Sequence, residues 1–255
     1  MTSLQKTDDY GSGVPYWAQL SSTDPAAAAS FYEEMFGWHL PAGETGVCEL
    51  GGVAVSVIET AAADQPSKWT TYLYAEDLDV ALDRVVAAGG TQVEAPRGSA
   101  SGHRVAKFAD PSGAVIGLFA RGSSGAALVN EPGALIWGEL ITDDVQASAE
   151  FYRGAFGWDL SEPAGPLNRR EWLVDGRPIA GLLPRPAAMP AEMPVYWDTY
   201  FGTADPDAAI RLAATLGATV LMGPADVEIG RIGVFADPTG AVFSVLVPAT
   251  TTTGE

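Results

Sequence analysis

The sequence predicts an α+β protein made of two tandem copies of one domain, each copy built from two βαβββ modules. Two repeated motifs carry this prediction. FYEEMFGW at residues 31–38 returns as FYRGAFGW at residues 151–158, an offset of 120 residues. ADPSGAV at residues 109–115 returns as ADPTGAV at residues 236–242, an offset of 127 residues. Because both motifs recur in the same order, we interpret the chain as an internal duplication.

The first domain is expected at residues 14–121 and the second at residues 135–247. Residues 122–134 between them begin with Gly-Ser-Ser-Gly and end in a Pro-Gly-Ala sequence, a composition typical of a linker. The seven additional residues of the second copy are expected mainly in a loop that contains residues 163–170.

The first module begins with a short strand at residues 17–20, followed by a helix. Asp24 with Pro25 behind it is a typical helix start, because the carboxylate caps free N–H groups and proline fits the first turn. The helix should run to Phe36 and end at Gly37, which can adopt the left-handed conformation. Asp144 occupies the same place before the helix of the second copy.

The remaining elements of the first copy follow from short apolar runs and turn residues. A second helix is predicted at residues 77–88, where Gly89 and Gly90 would end it. Strands are predicted where β-branched and aromatic residues alternate or cluster, at residues 47–50, 53–58, 69–74, 105–108 and 114–119.

Charge and composition limit the possible partners. The chain has 32 acidic and 14 basic residues, a formal charge of -18, which argues against nucleic acid and anionic membranes as partners. No run of about 20 apolar residues and no leader-like segment is visible, and a single cysteine, Cys48, fits a reducing compartment. We therefore expect a cytoplasmic protein in which Cys48 is a small buried residue.

The two repeated motifs resemble those of the vicinal oxygen chelate superfamily, which includes glyoxalases, bleomycin-resistance proteins and extradiol dioxygenases. The resemblance covers nearly the whole chain and implies two tandem glyoxalase-like domains with cup-shaped mixed sheets. The motif aromatics lie at helical spacing and are expected to pack in the core. Asp110 and Asp237 are expected to form turns before the last strand of each copy.

The resemblance also implies four inward-facing metal-ligand positions in each cup, usually filled by histidine and glutamate. In this sequence they correspond to Gln19, Ser56, Thr70 and Gly117 in the first copy, and to Glu139, Gly181, Asp198 and Ser244 in the second. None is a histidine, whereas a catalytic transition metal needs imidazole with carboxylate. We therefore expect no cofactor and no metal; Mg²⁺ or Ca²⁺ on Glu139 and Asp198 is a minor alternative.

Three residues are candidates for acid/base catalysis. Glu139 and Asp198 would lie inside an apolar cup, where desolvation raises the pKa of a carboxyl group. His103 precedes a strand and could act from the rim of a cup. Arg104 and Arg231, at equivalent strand starts, are candidates for pairing with these carboxylates or with substrate.

Strand alternation predicts which side chains share the inner face of each cup. We expect aromatic rings and a few polar groups there, a surface suited to a hydrophobic or aromatic small molecule. The predicted substrate-binding residues are Trp17, Gln19, Thr70 and Tyr72 in the first copy and Trp137, Tyr196 and Tyr200 in the second, together with Arg104 and Arg231.

Two functions remain open at this point. The first is a metal-independent enzyme that acts by proton transfer on a hydrophobic small molecule, such as a secondary metabolite. The second is a non-catalytic, antibiotic-sequestering protein of the bleomycin-resistance type. The sequence leaves open the substrate, the reaction, which cup is active, whether cups close within or between copies, and whether the protein is a monomer or a homodimer.

Overall fold

The computed structural model describes residues 11–41, 45–99, 102–122, 127–190 and 192–249. The first copy contains seven strands and two helices within this part of the chain. In order they are β1 (Pro15–Ser22), α1 (Pro25–Phe36), β2 (Gly46–Leu50), β3 (Val53–Thr60), β4 (Lys68–Tyr74), α2 (Leu78–Ala87), β5 (Thr91–Gly98), β6 (Arg104–Ala109) and β7 (Val115–Ala120).

The second copy contains eight described strands and two helices. In order they are β8 (Leu135–Thr142), α3 (Val145–Phe156), β9 (Asp159–Leu160), β10 (Arg170–Val174), β11 (Arg177–Pro184), β12 (Tyr196–Gly202), α4 (Pro206–Thr215), β13 (Thr219–Val227), β14 (Gly230–Ala236) and β15 (Val242–Pro248). The predicted α+β class and the tandem duplication are confirmed.

Each copy forms its own sheet. The strand order is β2-β3-β1-β4-β7-β6-β5 in the first and β13-β14-β15-β12-β8-β11-β10-β9 in the second. The cups therefore close within the copies and not by exchange between them. Three modules follow the βαβββ order; in the first module a bridge between His39 and Glu49 stands where the second copy has β9.

The first strands of the two modules lie side by side at the centre of each sheet. β1 pairs antiparallel with β4, and β8 pairs antiparallel with β12. The last strand of each module then runs parallel to the first strand of that module, as β3 does to β1 and β15 to β12. This arrangement brings four equivalent positions of each copy together on one face.

The long first helix of each copy starts and stops as the sequence predicts. The Asp24 carboxylate accepts a hydrogen bond from the Ala27 N–H at 3.0 Å, and the Asp144 carboxylate accepts one from the Ala147 N–H at 2.9 Å. Gly37 and Gly157 follow the helices with φ of 74°, a conformation that costs glycine little because it has no Cβ.

The outer faces of the two sheets are turned toward each other. The helices lie in the layer between these faces. Phe31 of α1 contacts Phe243 of the second sheet, and Phe151 of α3 contacts Phe108 of the first sheet. Across the centre, the Thr71 and Thr199 hydroxyls are 2.9 Å apart. The motif aromatics are therefore core residues, as predicted, and the core they form lies between the copies.

The repeated motifs also bond to each other across this core. The Tyr32 hydroxyl donates to the Asp237 carboxylate at 2.9 Å, and the Tyr152 hydroxyl donates to the Asp110 carboxylate at 3.2 Å. Each aspartate also accepts from N–H groups of its own turn, such as Ala114 N–H at 3.1 Å. Asp110 and Asp237 thus form the predicted turns and in addition join the two copies.

The strand registers show where the second copy is longer. The offset between equivalent positions is 120 residues at Glu139, 124 at Gly181, 128 at Asp198 and 127 at Ser244. Four residues are therefore added before β11 and four more before β12. The expected loop at residues 163–170 accounts for only the first group.

Within the part of the chain described above, no helix has both the length and the hydropathy to cross a membrane. Cys48 is buried on β2, and burial raises the pKa of its thiol to about 12. This is the environment expected for a small core residue.

Candidate active site

The register fixes the four inward-facing positions of each cup. Gln19 pairs with Val57 and Thr70, and Glu139 pairs with Gly181 and Asp198. Gly117 and Ser244 complete the two sets on the last strands. Ser56 was the wrong position by one residue: its hydroxyl donates to the Ala18 carbonyl on the opposite face, so Val57 occupies that place.

Tyr72 fills the centre of the first cup. Its ring lies over Gly117, where a Cβ atom would stand only 2.1 Å from the ring. The Tyr72 hydroxyl donates to the Gln19 side-chain oxygen at 3.2 Å. Thr70 is buried beside them on β4. An aromatic ring therefore occupies the space toward which the four positions of the first cup point.

The charged groups of the first cup neutralise one another. The Gln19 amide donates to Glu59 at 3.0 Å, and the Arg97 guanidinium donates to Glu59 at 2.7 Å and also to Glu94. Lys107 pairs with Glu94 at 3.2 Å. Burial acts to raise the pKa of Glu94, but Arg97 and Lys107 outweigh burial and lower it. Two acids and two bases are thus paired here.

His103 lies in the first cup. It is buried and is not the free residue on the rim that we predicted. Its ring is buried against Phe119, with centroids 4.5 Å apart, and faces the edge of Trp17. His103 Nδ1 accepts a hydrogen bond from the Gly122 N–H at 2.9 Å. Burial and the nearby Arg121 charge lower the pKa of His103, so the ring is neutral near pH 7. The three predicted catalytic residues are therefore not brought together.

Asp198 is a buried carboxyl group at the centre of the second cup. The Ser244 hydroxyl donates to its Oδ2 at 2.6 Å and the Thr199 N–H to its Oδ1 at 2.9 Å. Burial raises the pKa of Asp198 to about 7; Ser244 opposes this rise and the Glu139 charge adds to it. Asp198 can therefore gain or lose a proton near neutral pH.

Glu139 lies directly opposite Asp198 on the neighbouring strand and has different partners. The Tyr200 hydroxyl donates to its Oε2 at 3.0 Å, and the Arg169 guanidinium donates to its Oε1. Burial raises the pKa of Glu139, whereas Arg169 and Tyr200 act against that rise. Because arginine stays protonated in proteins, Glu139 is the carboxylate that balances Arg169, and Asp198 is the group left to titrate.

Arg169 was not predicted from the sequence, although it is the cation of the second cup. It stands in a hairpin between β9 and β10, where the Ala164 N–H donates to the Arg169 carbonyl at 2.8 Å. Its side chain is only 4% exposed. The signal in the sequence was the longer loop of the second copy, which ends in Arg169 and Arg170.

Arg104 and Arg231 do not contact the carboxylates of the second cup. Arg104 pairs with Asp79 of α2, and Arg231 pairs with Asp207 of α4 and with Asp226. The prediction that these arginines partner Glu139 or Asp198 was wrong, because each arginine pairs instead with an aspartate in the first turn of a helix. Arg169 takes that role.

Two N–H donors in the second cup lack a hydrogen-bond acceptor among the described residues, Trp137 Nε1 and Arg169 Nε. Arg169 Nε lies 3.5 Å from Glu228, close enough for an ion pair but without hydrogen-bond geometry. Trp137 Nε1 lies 2.9 Å, and Glu139 Oε1 2.6 Å, from the point where a Cβ at Gly181 would stand. The absence of a Cβ at Gly181 thus lets both groups pack directly against the backbone of β11.

The same orphan donor occurs in the first cup, where Trp17 Nε1 also lacks an acceptor within the described ranges. Buried donors normally find a partner. A third indole of this kind, Trp172, lies in the core between the copies. Trp17 and Trp137 stand at equivalent positions of the two cups. An N–H group of this kind, without an acceptor among the described residues, is available to a ligand.

The remaining wall of the second cup is apolar. Tyr196 is half-buried at the end of β12, and burial raises the pKa of its hydroxyl, so it stays protonated. The hydrophobic cluster on this face comprises Tyr200, Ile232 and Leu246 with Ile136, Trp137, Ala225, Val227 and Ile229 around them. Such a wall suits a hydrophobic ligand that carries few polar groups.

These residues do not fit the metal that the fold family implies. No cluster of three or more His, Cys, Asp or Glu residues occurs among the described residues. Glu139 is engaged by an arginine, which competes with a cation, and Asp198 is engaged by Ser244. The donor set lacks the imidazole of a transition-metal site and the several oxygens of a Ca²⁺ site.

Comparison with known proteins places this architecture in a family. The model of the glyoxalase-like domain matches residues 17–119 and 139–246. A protein of Mycobacterium tuberculosis named as a candidate glyoxylase, CFP32, is 36% identical over 96% of this chain and 99% of its own length. The anthracycline biosynthesis proteins DauV of Streptomyces sp. strain C5 and DnrV of Streptomyces peucetius are 31% and 30% identical over 93% of this chain and 94% of theirs.

Solved structures share the fold at low identity. The Mn(II)-bound glyoxalase of Novosphingobium aromaticivorans is similar with a TM-score of 0.66 and 18% identity, over 96% of this chain and 87% of that one. The 2,3-dioxygenase LapB of Pseudomonas sp. KL28 gives a TM-score of 0.63 and 16% identity, over 92% of each chain. The chain therefore belongs to the glyoxalase-like domain family and contains two copies of that domain in tandem.

Proposed function

We propose that the protein is an enzyme that transfers a proton on a hydrophobic, aromatic small molecule bound in the second cup, without a transition metal. The observation that carries this proposal is the pair of opposed buried carboxyl groups with different environments. Glu139 is held as an anion by Arg169, whereas Asp198 has only hydroxyl and backbone donors. Two carboxyl groups separated in this way can serve as fixed charge and as acid/base.

The surrounding groups suit proton transfer next to a carbonyl or phenol oxygen. The unpartnered Trp137 indole N–H and the Arg169 guanidinium are donors that a ligand oxygen can accept from. Asp198 then has the protonation range to take a proton from carbon or oxygen and return it. Ser244 holds the Asp198 carboxyl in one orientation.

The names of the relatives support an aromatic substrate class. Two proteins similar over nearly the whole chain carry the name anthracycline biosynthesis protein. An anthracycline is a flat polycyclic molecule with carbonyl and phenol oxygens, and such a molecule matches an apolar cup with a few oriented N–H donors. We propose secondary metabolism as the setting and a polycyclic ketone or phenol as the substrate class.

Deuterium exchange into anthrone tests this function. Anthrone is a polycyclic ketone whose CH₂ group exchanges hydrogen for solvent deuterium when it enolises, and mass spectrometry measures the exchange. We expect the protein to accelerate exchange above the uncatalysed rate, and Asp198→Asn to remove roughly 100-fold or more of that acceleration. Asp207→Asn, which removes a surface carboxylate, is the matched control and should keep full activity.

Sequestration without chemistry is the second candidate function. The orphan indole N–H groups in both cups favour it, because they suit binding whether or not a reaction follows. Anthrone or a related polycycle would then bind to the wild-type protein without any accelerated exchange. Binding of the polycycle without accelerated exchange would show that the protein sequesters its ligand and does not catalyse this reaction.

A further inference from the structure

The hairpin at residues 161–171 reaches across the mouth of the second cup. It leaves from β9 and β10, which form one end of the second sheet. Its tip at Gly165 is pressed against Glu228, which stands in the β13–β14 turn at the other end of that sheet. A Cβ at Gly165 would stand 1.4 Å from Glu228 Oε1, so a side chain here would displace Glu228, and the φ of +64° also favours glycine. We call residues 161–171 the strap.

The strap has hydrogen bonds of its own. The Ser161 N–H donates to the Glu171 carbonyl and the Ala164 N–H to the Arg169 carbonyl, at 2.9 and 2.8 Å. Arg170 donates to the Ser161 carbonyl at 2.9 Å. Its main link to the cup floor is the Arg169 side chain, which points inward to Glu139.

Arg169 is therefore held between two carboxylates with its bonding incomplete. Glu139 accepts from one terminal nitrogen, and Glu228 lies 3.5 Å from Nε without a hydrogen bond. A guanidinium offers five N–H donors and is suited to pair with a second anionic oxygen. The Trp137 indole N–H, also unpartnered within the described part of the chain, points to the same region beside Gly181.

We propose that Arg169 recognises an acidic hydroxyl of the ligand, a phenol or enol, by exchanging its ion pair with Glu139 for the ligand oxygen. The O–H bond of the ligand breaks and its proton forms a new O–H bond on Glu139, while the ligand oxyanion pairs with Arg169. Arg169, Glu139 and the ligand oxygen together carry one positive and one negative charge before and after this step. The charge is therefore balanced. This inference rests on the proposed location of the ligand in the second cup.

The two halves of this exchange are coupled electrostatically. A buried carboxylate that loses its arginine is uncompensated, so Glu139 takes up a proton, and burial already raises the pKa of this group. A phenol or enol supplies that proton at the site where it is needed. A ligand without an acidic hydroxyl must instead leave the Glu139–Arg169 pair in place, and it gains no ion pair with the strap.

Alizarin, a dihydroxyanthraquinone whose visible spectrum changes on ionisation, is the probe for this inference, and anthraquinone is its non-ionisable counterpart. We measure spectra and affinities about one pH unit below the pKa of free alizarin. We expect bound alizarin to show the spectrum of its anion. Arg169→Met should weaken alizarin binding at least 10-fold and change anthraquinone binding less than 3-fold. Arg211→Met, which removes a surface cation, should change neither.

A double variant keeps the test valid if Arg169→Met alone fails to fold. Arg169→Met alone leaves Glu139 buried and unpaired, so Glu139→Gln with Arg169→Met removes both charges together. The double variant should bind alizarin only as the neutral phenol. An unchanged anion spectrum in this variant, equal affinities for wild type and variant, or absence of alizarin binding to the wild type would each overturn the inference.

Failure of the proposed enzyme function is separable from failure of this inference. Anthrone exchange reports the proposed reaction, and the spectrum of bound alizarin reports the state of the ligand hydroxyl, so the two measurements can fail independently. If alizarin binds as the anion through Arg169 and anthrone exchange is not accelerated, the ligand class stands and the enzyme function falls.

Discussion

The two cups share one fold and differ in how their charges are balanced. In the first cup Glu59 and Glu94 are matched by Arg97 and Lys107. A buried tyrosine stands at the same register in both cups, Tyr72 in the first and Tyr200 in the second. In the second cup Arg169 is the buried cation set against two buried carboxyl groups, Glu139 and Asp198.

The difference comes from a few substitutions and one longer loop. Glutamate and aspartate replace the neutral Gln19 and Thr70, and the loop that became the strap supplies the arginine. Two copies of one fold can thus differ in charge balance: the first cup pairs its acids with an equal number of bases, whereas the second keeps buried carboxyl groups that are costly unless they have a task.

Among the changes that test this contrast between the cups, removal of the Glu139–Arg169 ion pair should have the largest effect. Arg169→Met should lower the free energy of unfolding by about 3–5 kcal/mol, because it leaves a buried carboxylate without its partner. Urea denaturation measures this change. The double variant Glu139→Gln with Arg169→Met should recover most of the loss. A loss in the double variant as large as that in the single variant would contradict the ion-pair explanation.

Asp198 should make stability depend on pH in a direction opposite to that of most carboxyl groups. Its pKa of about 7 in the folded protein lies above its ordinary value, so the folded state holds the proton more tightly. Its contribution is present at acid pH and is lost as pH rises through about 7, by up to about 4 kcal/mol. Asp198→Asn should remove this dependence. Denaturation curves from about pH 4 to pH 8 that are parallel for both proteins would contradict the assignment.

The bonds between the copies should contribute equally, in contrast to the cups. Tyr32→Phe and Tyr152→Phe each remove a hydroxyl that bonds a buried aspartate of the other copy. Each change should cost about 1–3 kcal/mol in thermal or chemical denaturation. A change confined to one tyrosine would show that the two halves of this interface are not equivalent.

Two substitutions distinguish the last strands of the two cups. Gly117→Ala should cost about 1–3 kcal/mol because its methyl group would overlap the Tyr72 ring. Ser244→Ala should cost about 1 kcal/mol and raise the pKa of Asp198 further, because it removes a donor to the carboxylate. A pH titration of Asp198 by NMR checks the second prediction, and a shift to lower pH would contradict it.

The sequence predicted the fold because local signals agreed with one another. The helix caps Asp24 and Asp144, the terminal glycines and the paired motifs each indicated the elements that the structure contains. The inward positions were also predictable, because strand alternation places Trp137, Glu139 and Asp198 on one face. Only the β3 position of the first copy was displaced by one residue, because we assigned Ser56 where the register has Val57.

The partners of the buried carboxylates could not be predicted in the same way. Arg169 approaches Glu139 through a hairpin whose path depends on a contact between Gly165 and Glu228, at opposite ends of the sheet. No local pattern encodes that crossing. The pairing of Tyr32 with Asp237 is hidden for the same reason, since it spans 205 residues and depends on how the copies pack.

Anthrone exchange in deuterium oxide, measured before and after removal of metals with a chelator, tests the central claim most directly. The account predicts that the wild-type protein keeps its full acceleration after chelation and that added Mn²⁺ or Zn²⁺ does not increase it. Loss of the acceleration on chelation, with recovery when a metal is returned, would show that a metal and not the Asp198 carboxyl performs the chemistry of the second cup.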